Sequence, residues 1–158
     1  MIYLGIGSNL GNRKRNIEKA KFKLLQKDIS IVQSSNYYES LSWPNIKHPK
    51  FLNVVLKVST NISPLNLIKE CKKIEKCLGR KKGPLNSPRI CDIDILDYKK
   101  RQINKGLTLP HPRLHRRNFV LFPLFELNKN WKHPISKYHI KSLLLLLSNR
   151  DIRSIKQI

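Results

Sequence analysis

The run Cys91-Asp92-Ile93-Asp94-Ile95-Leu96 constrains this chain more than any other segment. Apolar residues alternate in it with acids, and alternation at every second place marks a strand whose two faces differ. Asp92 and Asp94 share one face, and Ile93 and Ile95 share the other. Two like charges side by side on a half-buried strand repel unless a cation lies between them. Carboxylate oxygens are hard ligands, and Mg²⁺ commonly takes one or two of them, filling its other positions with water and substrate phosphates. Arg89, just upstream, can meet phosphate with a bidentate fork. The segment therefore reads as a metal-and-phosphate site on a rigid element. The other reading is an edge strand with an acidic solvent face. Scarcity speaks against it: the chain has 10 acidic residues against 32 basic ones, and two of the ten stand here.

With 158 residues, the size prior gives one domain over 1–158, large enough to bury a real core. No apolar run approaches the roughly 18 residues of a membrane span, so no membrane partner is expected. Met1-Ile-Tyr-Leu-Gly-Ile-Gly lacks a basic n-region and reads as a first strand. Cys71, Cys77 and Cys91 are odd in number and lack metal-ligand spacing, which suits reduced thiols in a cytoplasm. The net charge of +22 raises nucleic-acid binding. Lysines are spread over nearly every segment, however, and no basic stripe is interleaved with aromatics. Compositional drift explains the charge better, and no specific nucleic acid is expected. A general positive field would still attract an anionic nucleotide.

Along the chain, Ile2 to Ile6 reads as a strand, followed by a turn through Gly7–Asn12. Asn12 can cap a helix from about Arg13 to Gln26, which places Ile17, Ala20, Leu24 and Leu25 at helical spacing. Ser30 to Tyr38 reads as a second strand, and Ser40 to Pro49 as a loop. Phe51 to Thr60 alternates, with Leu52, Val54, Leu56 and Val58 on one face. Ser63-Pro64 opens a helix that stops at Gly79. Arg80–Pro88 is a Lys-, Gly- and Pro-rich loop before the acidic strand. A short strand is expected at Leu107–Leu109, Val120–Leu127 is ambiguous, and Ile140–Ser148 reads as a last helix that buries Leu143–Leu147. The order β-α-β-β-α-β predicts an α+β, ferredoxin-like sandwich with C-terminal additions.

Several motifs are weaker. Gly5-Ile6-Gly7 lacks the third glycine of a dinucleotide fingerprint, and no phosphate-binding G-x-x-x-x-G-K-[ST] loop exists. Side chains and Mg²⁺ must therefore hold any phosphates. His111 and His115 have i, i+4 spacing, but Pro112 argues against a helix there. His111 is better used as a hydrogen-bond donor to phosphate.

Taken together, five segments resemble 6-hydroxymethyl-7,8-dihydropterin pyrophosphokinase, a family of folate synthesis. They are Gly7-Ser-Asn-Leu-Gly-Asn12, Phe51-Leu52-Asn53, Ile74-Glu75 with Gly79-Arg80, Pro88-Arg89-x-x-Asp92-Ile-Asp94-Ile-Leu96, and Leu109-Pro110-His111-Pro112-x-x-x-x-Arg117-x-Phe119-Val-Leu-x-Pro-Leu124. The resemblance runs from residue 3 to about residue 127. It implies a ferredoxin-like fold and transfer of pyrophosphate from ATP to the pterin hydroxymethyl group, releasing AMP. It implies two Mg²⁺ held by Asp92 and Asp94, with Arg80 and Arg89 steadying the phosphates. Arg80, Lys82, Arg89, Thr108, Leu109, His111 and Arg117 would meet the nucleotide. Ser40, Leu41, Trp43, Phe51, Asn53, Glu75 and Phe119 would line the pterin pocket, Phe119 stacking on the ring and Asn53 reading its amide edge. A monomer is expected.

A reading from another class is a small basic RNA-binding protein with a ferredoxin-like sheet. It would need exposed aromatics on the recognition strands. The strand-like runs carry Val, Leu and Ile instead, with acids on the fourth.

Overall fold

A computed structural model describes all 158 residues, Met1–Ile158. Its elements run β1 (Ile2–Ser8), α1 (Arg13–Leu25), β2 (Ser30–Ser34), β3 (Tyr38–Ser40), β4 (Phe51–Ser59), α2 (Pro64–Cys77) and β5 (Asp92–Tyr98). A 3₁₀ turn (Leu114–Arg116), α3 (Asn118–Leu127), α4 (Ile140–Leu145), α5 (Asn149–Arg153) and β6 (Lys156–Gln157) follow. The strands form one antiparallel sheet in the order β5-β1-β4-β3-β6, with β2 also on β4. Reading β2 and β3 as one broken strand gives the expected ferredoxin-like βαββαβ order.

The caps act where the sequence puts them. Asn12 accepts the Arg15 N–H at 3.0 Å and Ser63 accepts that of Asn66 at 3.4 Å. Each side chain satisfies a helix N–H that has no partner within its helix. Helices α1 and α2 cover one face of the sheet. Leu52, Val54, Leu56 and Val58 meet Ile93 and Ile95 there, together with Ile17, Leu24, Leu67 and Ile74. The opposite face carries Tyr3, Val55 and Leu96 under α3 and α4, with Trp131 fully buried among them. An RNA-binding sheet of this topology would need that face open; here helices cover half of it and the other half walls a cleft.

Several expectations need correction. The strand at Ser30–Tyr38 is broken at Ser35–Tyr37, because the Ser35 hydroxyl takes the Val55 N–H at 3.0 Å and the chain slips register before β3 resumes. Ser40 consequently ends a strand instead of opening a loop. Leu107–Leu109 reduces to a single bridge between Ile103 and Leu109. Val120–Leu127 is helical, with Pro123 inside α3. The leucine run is only partly buried: Leu145 is 84% and Leu146 70% exposed, since α4 ends at Leu145 and Ser148 caps α5. Leu25 is exposed at the end of α1.

Candidate active site

On the face away from α1 and α2, Asp92 and Asp94 both open into a cleft of about 690 Å³. Its floor is β1 and β4, through Gly5, Gly7, Phe51 and Asn53. One side is the loop after β3, with Leu41, Trp43 and Ile46; the other runs from Arg113 through Phe119. Gly7 is required by close approach: a Cβ there would lie 3.1 Å from Asn53 Oδ1 and 3.3 Å from the Phe51 ring. Asn53 donates its amide to Ser40 Oγ at 2.9 Å and to the Tyr38 carbonyl at 3.3 Å. Those bonds turn its Oδ1 outward as an acceptor.

Four cations surround the two carboxylates. Arg80 Nη1 lies 2.7 Å from Asp92 Oδ1 and 2.5 Å from Glu75 Oε2. Arg89 Nη1 lies 3.6 Å from Asp92 Oδ2, with its guanidinium 5.8 Å from the centroid of the Phe51 ring. Arg117 donates to Asp94 Oδ2 at 3.3 Å and stands 5.4 Å from the Phe119 centroid. Lys72 approaches from the helix side, where its ammonium donates to the Ile93 carbonyl. Burial opposes the charge on Asp92, yet Arg89, Lys72 and Arg80 together hold its carboxyl below the usual range. His111 Nδ1 accepts the Arg113 N–H at 3.2 Å, and its Nε2 stands 3.6 Å from Asp94 Oδ2 and 3.4 Å from Arg117 Nη1. Burial keeps this imidazole below its ordinary value despite Asp94, so it is neutral at pH 7.

The donor set suits magnesium: two carboxylates on one strand face, both partly exposed to a cleft large enough for a polyphosphate. Arg89 Nε is buried without a hydrogen-bond partner, a donor that an incoming oxygen would satisfy.

Of the residues expected from the sequence, Ser40, Leu41, Trp43, Phe51, Asn53, Arg89, Asp92, Asp94, Arg117 and Phe119 line this cleft together. Arg80 and His111 reach it through Asp92 and Asp94. Glu75 does not line it. It is buried on α2, behind β5, where it accepts from Lys72, Arg80 and the Ile93 N–H at 2.7, 2.5 and 2.6 Å. Lys82 and Thr108 are exposed and Leu109 is buried, and none of the three lines the cleft. The sequence reading passed over Arg113, Arg116, Asn118 and Arg150. The basic run before Phe119 was a signal for the first two; nothing local marked the others. It also left Asn9 unassigned, although Asn9 Oδ1 takes the Arg89 N–H at 2.7 Å while its Nδ2 donates to the Pro49 carbonyl and to Ser42 Oγ.

Comparison with known proteins gives the same picture. The family model described as 7,8-dihydro-6-hydroxymethylpterin-pyrophosphokinase (HPPK) matches residues 3–129. The chain belongs to the HPPK family. As a member it is a transferase, a pyrophosphokinase of folate synthesis with ATP as co-substrate. It is 43% identical over 141 residues to the 2-amino-4-hydroxy-6-hydroxymethyldihydropteridine pyrophosphokinase of Aquifex aeolicus, covering 89% of this chain and 88% of that one. It is 38% identical to the folic acid synthesis protein fol1 of Pneumocystis carinii, where 98% of this chain spans only 21% of the relative. A Plasmodium falciparum HPPK-DHPS solved with pterin and p-hydroxybenzoate superposes with a TM-score of 0.75 at 16% identity, over 99% of this chain and 47% of that one, a likeness of fold. No helix of this HPPK is long and apolar enough to cross a membrane.

Proposed function

We propose that this HPPK moves the β,γ-pyrophosphoryl group of ATP onto the hydroxymethyl oxygen of 6-hydroxymethyl-7,8-dihydropterin within the single cleft described above. The observation that carries this is a juxtaposition. Phe119 and Asn53, suited to a flat heterocycle with an amide edge, open into the same cleft as Asp92 and Asp94, with Arg80, Arg89 and Arg117 around the carboxylates.

Phe119 stacks on the pterin and the outward Oδ1 of Asn53 accepts from its N–H edge, so the hydroxyl approaches from one direction. The new bond forms between that oxygen and the β-phosphorus. The bond to the α–β bridging oxygen breaks, AMP leaves, and the hydroxyl proton passes to solvent water. Arg80 and Arg89 donate to the oxygens that gain charge, at guanidiniums already held by Glu75 and Asp92 and so needing little reorganisation. Arg117 ties the two halves of the site, touching Asp94 on one side and the Phe119 ring on the other. His111, which is neutral, donates a hydrogen bond to a phosphate. Lys82 and Thr108, both exposed, meet the nucleotide outside this lining, while Leu109 is buried in the core. Asp92 and Asp94 would hold two Mg²⁺ ions, which would supply charge neutralisation for the phosphates. Glu75 serves the site by holding Arg80 rather than by touching the pterin.

The chain works as a cytoplasmic monomer in this reading. Its three thiols are free.

The test is incubation with ATP, Mg²⁺ and the hydroxymethyl dihydropterin, followed by phosphorus NMR of the products. AMP and a pterin diphosphate are expected. ADP with a pterin monophosphate would overturn pyrophosphoryl transfer and leave a simple phosphotransferase.

A further inference from the structure

Part of the cleft wall lies beyond residues 3–129. Ser148, Arg150, Asp151 and Ser154, on or beside α5, close the end of the cleft next to Phe119. This wall is fastened by one side chain. Asn118, buried at the first position of α3, donates through Nδ2 to the Asp151 carbonyl at 2.7 Å and to Ser154 Oγ at 3.1 Å. Its Oδ1 accepts the N–H of Phe119 at 2.7 Å. One amide thus joins α5 to the backbone of the aromatic residue that faces the cleft.

The chain beyond α5 fastens to the facing side of the same site. β6 pairs with β3, Tyr38 opposite Gln157 and Glu39 opposite Lys156, and the Ile158 N–H donates to the Tyr37 carbonyl at 3.0 Å. β3 ends at Ser40, which accepts from Asn53. The last eleven residues therefore meet the start of α3 beside Phe119 on one side and, on the other, β3, whose Ser40 accepts from Asn53 of β4. They make no hydrogen bond or ion pair to Arg80, Arg89, Asp92 or Asp94.

We infer that residues 148–158 form a working wall of the pterin end of the cleft, and that Asn118 is the positioning residue that fixes this wall relative to Phe119. The inference rests on the pyrophosphokinase reading for the identity of the ligand. Buried amide donors lock geometry because leaving either partner unpaired is costly. Losing the Nδ2 donor frees α5 while the phosphate end, built on β5, stays as it was. The consequence is selective: pterin affinity falls and nucleotide affinity does not.

The experiment compares the full-length chain with Asn118→Asp and Ser154→Ala. Asn118→Asp keeps an oxygen for the Phe119 N–H but turns an acceptor toward the Asp151 carbonyl; Ser154→Ala keeps the stronger Asn118 contact, removes the weaker one together with the Ser154 hydroxyl's own bond to the Asp151 carbonyl at 2.9 Å, and guards against misfolding of the first variant. Two affinities are titrated by calorimetry, that of a non-hydrolysable ATP analogue with Mg²⁺, and that of the pterin with the analogue saturating. Asn118→Asp is expected to weaken the pterin about tenfold or more with the analogue within about twofold, and Ser154→Ala to move the same way by less. In turnover the loss falls on KM for the pterin before kcat. Equal loss of both ligands, or no change in either, overturns the wall while leaving the enzyme a pyrophosphokinase. A full-length chain that binds no pterin overturns the reading beneath it.

Discussion

Glu75 and Arg80 are joined twice, through the backbone and through the side chains. The Arg80 N–H donates to the Glu75 carbonyl at 3.0 Å, and Arg80 Nη1 to Glu75 Oε2 at 2.5 Å. The first bond belongs to the left-handed cap that ends α2, in which Gly79 stands at φ +99° and donates to the Lys76 carbonyl. A helix C-terminus thereby sets where the guanidinium that we propose to meet phosphate begins. Burial works against the charge on Arg80, but Asp92 and Glu75 hold its pKa above the ordinary value.

Glu75→Gln removes the charge behind Arg80 while keeping an oxygen for the Ile93 N–H. Breaking a pair with one fully buried member, discounted for the partly exposed Arg80, costs about 2 kcal/mol and lowers Tm by about 4–8 °C. kcat falls about tenfold as Arg80 loses its fixed position. Thermal melts and steady-state rates check both; a variant that melts and turns over like the parent chain would show that Arg80 needs no such anchor.

Gly79→Ala tests the cap itself. A side chain at this positive φ is strained, and its Cβ would meet Ile90 Cδ1 at 3.2 Å. The expected cost is about 1–2 kcal/mol, with KM for ATP rising because Arg80 shifts. Pterin affinity should be unchanged.

β5 carries three aspartates with different work. Asp92→Ala and Asp94→Ala should each lower turnover by at least about 100-fold at saturating Mg²⁺, with the chain still folded, since each opens to the cleft. Asp97 instead is buried and accepts from Trp131 Nε1 at 2.8 Å and the Lys100 N–H at 2.9 Å. Asp97→Ala leaves those donors unpaired and should cost about 2–3 kcal/mol in a denaturant titration while sparing kcat at low temperature.

The thiols should separate by burial. Cys71 and Cys91 have no exposed surface, and desolvation pushes both up to about 12, so at pH 8 they are protonated as well as inaccessible. Cys77 is exposed. An aromatic disulfide reagent should titrate one thiol in the native chain and three in guanidinium. Two or more reacting natively would contradict the buried placement of Cys71 and Cys91.

Much of this protein could be read from local sequence. Alternation gives Leu52–Val58 and Ile93–Ile95 their buried face, and Asn12, Ser63 and Gly79 mark helix ends, because pleat and capping depend only on neighbours along the chain. The same alternation puts Asp92 and Asp94 on one side. Tertiary structure decided the rest. Glu75 at helical spacing could have faced either the pterin or the sheet; the crossing of α2 behind β5 turned it toward Arg80. The break between β2 and β3 came from a serine hydroxyl competing for the Val55 N–H, a contact 20 residues away in sequence. The wall at 148–158 shows only the Ser148-x-x-Asp151 cap of α5; the helix is too short to show a period, and its partners, Asn118 and β3, lie some 30 and 118 residues distant. Periodicity and caps are written in adjacent residues. Which faces meet is settled only when distant segments exclude water from each other, and there the chain's one-dimensional order carries no distance information.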